Sequence, residues 1–363
     1  MKNIAIYALL FLLSSMSLRI ESAEIKKSQG VLDADGETVW YDGTLLAIEG
    51  KGWVNTESYY DRLPATVEGK VTKSVWGLSH NSAGMNLRFM TDATSIKVQW
   101  VLRSHDLAMP HMAATGVSGI DLYGKQKNGS YLFLKNGLPK ADSNLVIFKV
   151  KPASEYILYL PLYNSLNSIK IGLPKEAYLQ RPDKEVSRLN KTIVFYGTSI
   201  TQGGCASRPG TAFTNIVGRR LDAPVINLGF SGSGKMEMEM ADLLTELNPA
   251  VYVLDCLWNM SPQMINERFA PFIRKLRAKK PNTPIVLAED SNVYDISPTV
   301  KGKIAHALYE KLRKEGMNGL YYLSNKGMLG ADGEGTVDGC HPTDLGMMRM
   351  ADVFSKFLEP ILP

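Results

Sequence analysis

Residues 191–201 read KTIVFYGTSIT, from Lys191 to Thr201. The apolar run fits one buried strand, Gly197 breaks it, and Ser199 opens a stretch of helix-compatible residues. A serine placed where a parallel strand ends is held out of the core, at the sheet edge where α/β proteins do chemistry. The same alternation continues downstream. Strands are expected at 192–196, 225–228, 251–254, 285–288 and 319–323. Helices are expected near 212–221, 236–247, 262–279, 300–315 and 345–357. Strict alternation of this kind implies a parallel sheet covered on both faces by helices.

Upstream, residues 38–173 have a different character. Runs such as SIKVQWV at 95–101, EYILYL at 155–160 and SIKI at 168–171 alternate with period two. NGS at 128–130 and NG at 136–137 supply turns, and no convincing amphipathic helix interrupts the runs. This pattern predicts an antiparallel β-sandwich. A chain of 363 residues is expected to form two domains. The polar connector RPDKE at 181–185 puts the boundary near 185, giving a β-domain over 24–185 and an α/β domain over 186–363.

Residues 1–23 combine Lys2, an apolar stretch over 4–13, and the small residues Ser22 and Ala23, which reads as a secretory signal peptide. Glu21 blurs the cleavage position by a few residues. No later run is long enough to span a bilayer, so a secreted or periplasmic protein is expected. The formal charge of +5 is spread over 77 charged side chains without long like-charged blocks, which argues against nucleic-acid binding. Three cysteines, Cys205, Cys256 and Cys340, allow at most one internal disulfide. They read as a local disulfide or as small buried hydrophobes, since a serine holds the better position for a nucleophile.

A serine hydroxyl needs a base and a site for the oxyanion it generates. The candidate bases are His80, His105, His111, His306 and His341. His341 lies in DGCHP at 338–342, where Asp338 is spaced to bond Nδ1 and leave Nε2 facing Ser199. That loop follows the last expected strand and so falls on the same sheet edge as Ser199. Two further strand ends carry polar groups. NLGFSG at 227–232 brings Gly232, whose N–H can approach a reacting carbon unobstructed by a side chain, and DCLWN at 255–259 brings the Asn259 amide. Singly, glycine and asparagine are ordinary turn formers; on successive strand ends they form a pattern.

The carboxyl-terminal half resembles the SGNH hydrolase superfamily, also called GDSL esterases. The blocks occur in order: GTSIT at 197–201, Gly232, Asn259, then Asp338 with His341. The resemblance, over roughly 190–360, implies a flavodoxin-like sheet with Ser199 as nucleophile, His341 as general base and acid, and Asp338 as its orienter. It also implies an oxyanion hole from the Ser199 and Gly232 backbone N–H groups and the Asn259 side chain. Two positions depart from the pattern. Thr198 stands where aspartate is common, and DCLWN replaces a glycine-rich approach to the asparagine. Upstream, GIDLY at 119–123 matches a Gly-x-Asp-Leu-Tyr signature found in an amino-terminal β-domain of some of these hydrolases, and LPLY at 160–163 is similar to another stretch of it. This extends the resemblance to a two-domain secreted bacterial esterase.

Arg208, on the loop after Ser199, is a candidate contact for an acidic sugar or carboxylate, though loop arginines more often pair with surface acids. Trp258 is a candidate sugar-stacking residue or a packing residue beneath the loop. His105 and His111 flank Asp106 without a third well-spaced ligand, so no metal site is expected there. A β-domain loop reaching over the pocket would explain why the two domains are joined. The leading expectation is a serine esterase that removes small acyl groups, most plausibly acetyl, from a small-molecule or polysaccharide carbohydrate ester, without metal or organic cofactor. The alternatives are a lipid-directed esterase, lysophospholipase or thioesterase on the same scaffold, and a non-catalytic carbohydrate-binding protein. Neither sugar nor oligomeric state follows from the sequence.

Overall fold

The computed structural model describes residues 24–151, 153, 155–182 and 186–363. The segment read as a signal peptide, 1–23, and the boundary residue 185 lie outside these residues. Five strands, β1 (Val31–Leu32), β2 (Thr38–Asp42), β5 (Ser95–Leu102), β8 (Ser143–Lys149) and β10 (Leu166–Pro174), form one antiparallel sheet in the order β1-β2-β10-β5-β8. Five others, β3 (Ala47–Glu49), β4 (Asn86–Phe89), β6 (Ile120–Lys125), β7 (Tyr131–Gly137) and β9 (Tyr156–Tyr159), form a second in the order β3-β4-β9-β6-β7. In β5 the period is plain: Ile96, Val98, Trp100 and Leu102 are buried while their neighbours are partly exposed. These residues meet Phe89, Leu122, Phe148, Tyr156 and Leu158 in a single core between the sheets.

The alternation expected at 155–160 is replaced by full burial, because the second sheet is covered on both sides. Tyr156 and Leu158 face the sandwich core, while Ile157 and Tyr159 join Tyr123 in a separate cluster on the opposite face. There the Tyr159 hydroxyl reaches the Asn215 carbonyl at 3.5 Å, in the other half of the chain. The β-region also contains a helix, contrary to the sequence reading. Lys73–Ser79 is capped by Thr72, whose hydroxyl accepts from the Val75 N–H at 3.3 Å. Trp53, Leu63, Val67, Val71 and Val75 belong to the same apolar cluster as Leu228 and Phe230, so this excursion between β3 and β4 packs into the other half of the molecule.

Beyond residue 190 lie five parallel strands, β11 (Ile193–Gly197), β12 (Val225–Gly229), β13 (Val251–Asp255), β14 (Ile285–Ala288) and β15 (Leu320–Leu323), in the order β12-β11-β13-β14-β15. All residues of β11, β13 and β14 are buried, as continuous apolar strands require when both faces are covered. Helices Phe213–Arg220 and Asp344–Leu358 cover one face, and Met238–Glu246, Pro262–Lys279 and Val300–Lys314 the other. The fold is the flavodoxin-like sheet preceded by an antiparallel sandwich that the sequence predicts. The strand order reverses beside β11, which places the ligand-binding crevice at the carboxyl ends of β11 and β13. Among the described residues, no helix is long and apolar enough to cross a membrane.

Candidate active site

Ser199 begins a four-residue helix, Ser199–Gln202, directly after β11. A Cβ on Gly197 would lie 2.2 Å from Thr201 Oγ1 and 2.4 Å from the Asp255 carbonyl, so only glycine lets β11, β13 and the turn close together. The Thr198 hydroxyl accepts from the Ile200 N–H at 3.3 Å, so this departure from the aspartate pattern still caps the helix. The Ser199 carbonyl is held by the N–H groups of Gly203 at 3.1 Å and Gly204 at 2.7 Å. A third donor, the Tyr163 hydroxyl at 3.1 Å, comes from the β-domain.

Ser199 Oγ lies 2.9 Å from His341 Nε2, and His341 Nδ1 lies 2.7 Å from Asp338 Oδ2. The other carboxylate oxygen, Oδ1, accepts the backbone N–H groups of Cys340 at 3.0 Å and His341 at 2.8 Å. One oxygen of Asp338 thus orients the imidazole while the other folds the loop. Partial burial pushes the Asp338 carboxyl up, but the hydrogen bonds from the His341 ring and from the two backbone N–H groups outweigh it and hold its pKa at about 2. It is therefore a carboxylate throughout the neutral range.

Gly232 sits at the exposed tip of the turn after β12 with φ +67, and an added Cβ there would meet nothing within 4 Å. The left-handed backbone there favours glycine, and no protein atom crowds the position. The crowded position is Gly234, at φ +69, where a Cβ would stand 1.9 Å from the Gly197 carbonyl oxygen. Asn259 ends a 3-10 turn, Leu257–Asn259, and its Nδ2 donates to the Ser233 carbonyl at 2.6 Å. An amide NH2 carries two hydrogens, and this bond uses one. Lys301 Nζ anchors the turn by donating to the carbonyls of Leu257 at 3.0 Å and Trp258 at 2.8 Å. The short helix and this lysine do the positioning that a glycine-rich approach would otherwise provide.

Several β-domain residues reach this region. Asp121, fully buried, accepts from Arg208 Nη1 at 2.9 Å and from the Gly210 N–H at 2.8 Å. Arg208 also donates to the Tyr123 hydroxyl at 2.6 Å and lies over the Phe133 ring, 3.8 Å from its centroid. The aspartate and tyrosine of the GIDLY motif are therefore a clamp on the loop that follows Ser199, and Arg208 is its counterpart. Gln202 Nε2 donates to Asn81 Oδ1 and the Leu162 carbonyl, each at 3.1 Å, while its oxygen accepts from the Ser231 N–H at 3.0 Å. Arg62, buried and without a carboxylate partner among the described residues, donates to the carbonyls of Asn227 at 3.2 Å and Gly229 at 2.6 Å, under the turn that carries Gly232. Burial lowers its pKa to about 9.

Trp258 is half-buried, with Nε1 donating to Ser291 Oγ at 3.2 Å. The histidine pair considered from sequence is separated: His105 bonds Asp142 at 2.7 Å, while the exposed His111 ring lies 5.3 Å from that of His341. All three thiols are free. Burial pushes Cys205 up to about 12 and Cys340 to about 11, so neither is a thiolate at neutral pH. Arg62, Tyr163, Gln202 and Gly234 were not singled out from sequence. Two of them left a local signal, Gly234 in the GFSGSG spacing of 229–234 and Tyr163 in the LPLY stretch of 160–163.

The family model for the GDSL-like lipase/acylhydrolase family matches residues 190–359, and that for GxDLY, the N-terminus of SGNH-hydro-type esterases, matches residues 38–179. A solved structure described as a GDSL-like lipase from Bacteroides ovatus is 32% identical, with a TM-score of 0.82 over 90% of this chain and 98% of that one. A salicylyl-acyltransferase from a tetracycline biosynthetic pathway shares the fold at 17% identity and a TM-score of 0.69, over 87% of this chain and 94% of that one. So does a family two carbohydrate esterase from Cellvibrio japonicus, at 14% identity and a TM-score of 0.57, over 90% and 98%. No curated protein matches the chain.

Proposed function

Because the chain belongs to the GDSL-like lipase/acylhydrolase family, we propose that Ser199 is the nucleophile of an esterase that removes small acyl groups, acetyl above all, from a carbohydrate. The observation that carries this reading is the continuous contact from Ser199 Oγ through His341 to Asp338, at 2.9 and 2.7 Å. As Oγ attacks the ester carbonyl, Nε2 of His341 takes its proton, and Asp338 stabilises the imidazolium. Negative charge develops on the carbonyl oxygen and is met by the Ser199 and Gly232 N–H groups and the second hydrogen of the Asn259 amide. Collapse breaks the ester C–O bond, and His341 returns the proton to the departing hydroxyl of the sugar. Water, deprotonated by the same nitrogen, then releases the acid from Ser199.

A carbohydrate as acyl acceptor is supported by the surface beside Gly232. An open groove of about 650 Å³ runs between the two halves of the chain, lined by the polar Thr72, Ser74, Ser233, Lys235, Glu237 and Arg268 and also by the apolar Met236, Met238 and Met264. Such a mixed lining can bond a sugar's hydroxyls and pack against its ring faces. The shared fold with a family two carbohydrate esterase is consistent with this reading. Residues 24–185 would form the accessory domain and 186–363 the catalytic one, with residues 1–23 directing export to the periplasm or beyond the cell.

The test is acetate release from a panel of acetylated polysaccharides, alongside acetyl and octanoyl p-nitrophenyl esters. Acetate release with preference for the acetyl ester is expected, and Ser199→Ala abolishes it. Clear preference for octanoate would move the assignment to a lipid-directed esterase. Failure of an organophosphonate to label Ser199 in folded protein would favour a carbohydrate-binding protein instead.

A further inference from the structure

Beside the proposed catalytic pair, three potential metal ligands from separate parts of the chain converge. One donor atom each from His111, Cys205 and His341 lie within 4.8 Å of one another. His111 is exposed and belongs to the β-domain, Cys205 is buried on the loop after Ser199, and His341 is partly exposed. Since Nδ1 of His341 is engaged by Asp338, the nitrogen it offers is Nε2, the one facing Ser199. Two imidazoles and a thiol form a donor set suited to zinc and similar borderline-soft divalent ions. Cys205 also holds φ +68, unusual for a residue with a side chain.

We infer that His111, Cys205 and His341 form an inhibitory site for a thiophilic divalent cation, which switches the hydrolase off by occupying His341 Nε2. With Zn–N near 2.1 Å and Zn–S near 2.3 Å, tetrahedral ligands lie roughly 3.5 Å apart. Donor atoms within 4.8 Å of one another need to close by at most about 1.3 Å to reach that spacing, and His111, exposed on its loop, is the ligand free to move. Binding displaces the Cys205 thiol proton to solvent and uses the Nε2 lone pair that would otherwise take the proton of Ser199. Asp338 behind His341 completes a carboxylate–histidine–metal arrangement, which fixes the ring and strengthens it as a ligand. The fourth position is open to water or to Ser199 Oγ. Because His111 comes from the β-domain, the ion would also pin the two halves of the chain together across the site.

Inhibition, though not metal binding, rests on His341 being the catalytic base, so the experiment reads both. Zinc chloride is titrated into wild-type, His111→Ala and Cys205→Ser proteins in a non-chelating buffer, each rate being normalised to that protein's own metal-free rate. Wild-type activity should fall and return on adding EDTA. In each variant the inhibition midpoint should rise at least tenfold, since loss even of a group behind a metal ligand costs about 10–100-fold in affinity. Cobalt(II) added to Ser199→Ala should give a thiolate-to-metal charge-transfer band that Ser199→Ala with Cys205→Ser lacks. Equal zinc midpoints in wild type and His111→Ala, or a cobalt complex without the thiolate band, overturn the inference. His111→Ala alone decides the zinc result if Cys205→Ser fails to fold. Turnover by Ser199→Ala would sink the esterase reading, while the cobalt spectrum would still decide the metal site.

Discussion

Replacing Asp338 by asparagine should separate the two tasks of its carboxylate. Oδ1 accepts two backbone N–H groups, at 3.0 and 2.8 Å, while Oδ2 faces the imidazole Nδ1 at 2.7 Å. An asparagine that keeps its oxygen toward the backbone turns its NH2 toward Nδ1. The ring must then accept at Nδ1 and carry its proton on Nε2, where it cannot take one from Ser199. Flipping the amide restores the tautomer, but it sacrifices both backbone bonds and sets N–H against N–H, at a cost of about 2–3 kcal/mol. Loss of the negative charge beside the imidazolium adds only about 1 kcal/mol, since the Asp338 side chain is 38% exposed and water screens the pair. Together these remove about 3–4 kcal/mol of transition-state stabilisation, a fall in kcat of some hundredfold to a thousandfold. That is less than the roughly 10⁴-fold loss at a buried triad aspartate. The assay is kcat for p-nitrophenyl acetate with circular dichroism as a control for folding. A folded Asp338→Asn protein within tenfold of wild-type kcat would refute the orienting role.

Other perturbations read other parts of the structure. Gly234→Ala should destabilise by roughly 2–5 kcal/mol, because φ +69 disfavours a side chain and its Cβ would lie 1.9 Å from the Gly197 oxygen. Gly232→Ala should cost only about 1–2 kcal/mol, the left-handed backbone alone. Urea unfolding compares the two, and equal losses would contradict the packing argument. Asp121→Ala strands Arg208 in a partly buried clamp and should cost about 2–4 kcal/mol, discounted because the Arg208 side chain is 21% exposed. A denaturation midpoint unchanged from wild type would show that the clamp contributes nothing. Asp255 is buried, and that burial, opposed by the Thr201 hydroxyl, raises its pKa from 3.8 to about 6. Its proton is thus held more tightly in the folded state, so its contribution is full below about pH 4, declines as pH rises through about 6 and is flat above. The loss is about 3 kcal/mol. Asp255→Asn should flatten the unfolding free energy between those values, and an unchanged slope would exclude Asp255 as its source.

The fold and the central contacts were legible because they depend on local pattern. Ser199, Gly232, Asn259 and His341 each follow a strand of a parallel sheet, so once the strands were read from continuous apolar runs, topology gathered these residues at one edge. The contribution of the sandwich was not legible in the same way. Arg62 reaches Gly229 across 167 residues of sequence, and Gln202 reaches Asn81 across 121. Neither pairing produces a periodicity or a motif. Arg208 shows the difference: from its own neighbours it looked like a surface or substrate arginine, and distant partners, Asp121 at 87 residues with Tyr123 and Phe133, account for its position. The burial of Ile157 and Tyr159 escaped an alternation argument for the same reason, since on that face Arg219 and the Asn215 carbonyl of the other half of the chain meet Tyr123 and Tyr159.

These contacts also decide what the sandwich does for the site. A domain that merely carried a substrate-binding surface would meet the catalytic half at its periphery, leaving the backbone around Ser199 self-sufficient. Instead Tyr163 donates to the Ser199 carbonyl, Asn81 and Leu162 hold the Gln202 side chain at the end of the same short helix, and Arg62 supports the turn bearing Gly232. The Gln202 amide would otherwise lose the partners of its NH2, at a cost of about 1–3 kcal/mol, while Tyr163 adds a third donor to a carbonyl that Gly203 and Gly204 already hold. Removing the sandwich would therefore loosen both the turn that carries Ser199 and one wall of the proposed oxyanion site, besides exposing the face on which Tyr123 and Tyr159 pack. The GIDLY segment belongs to the same logic, because its aspartate and tyrosine fix the loop from which Cys205 meets His111 and His341. The candidate active site is therefore better described as a product of the interface than of the parallel sheet alone.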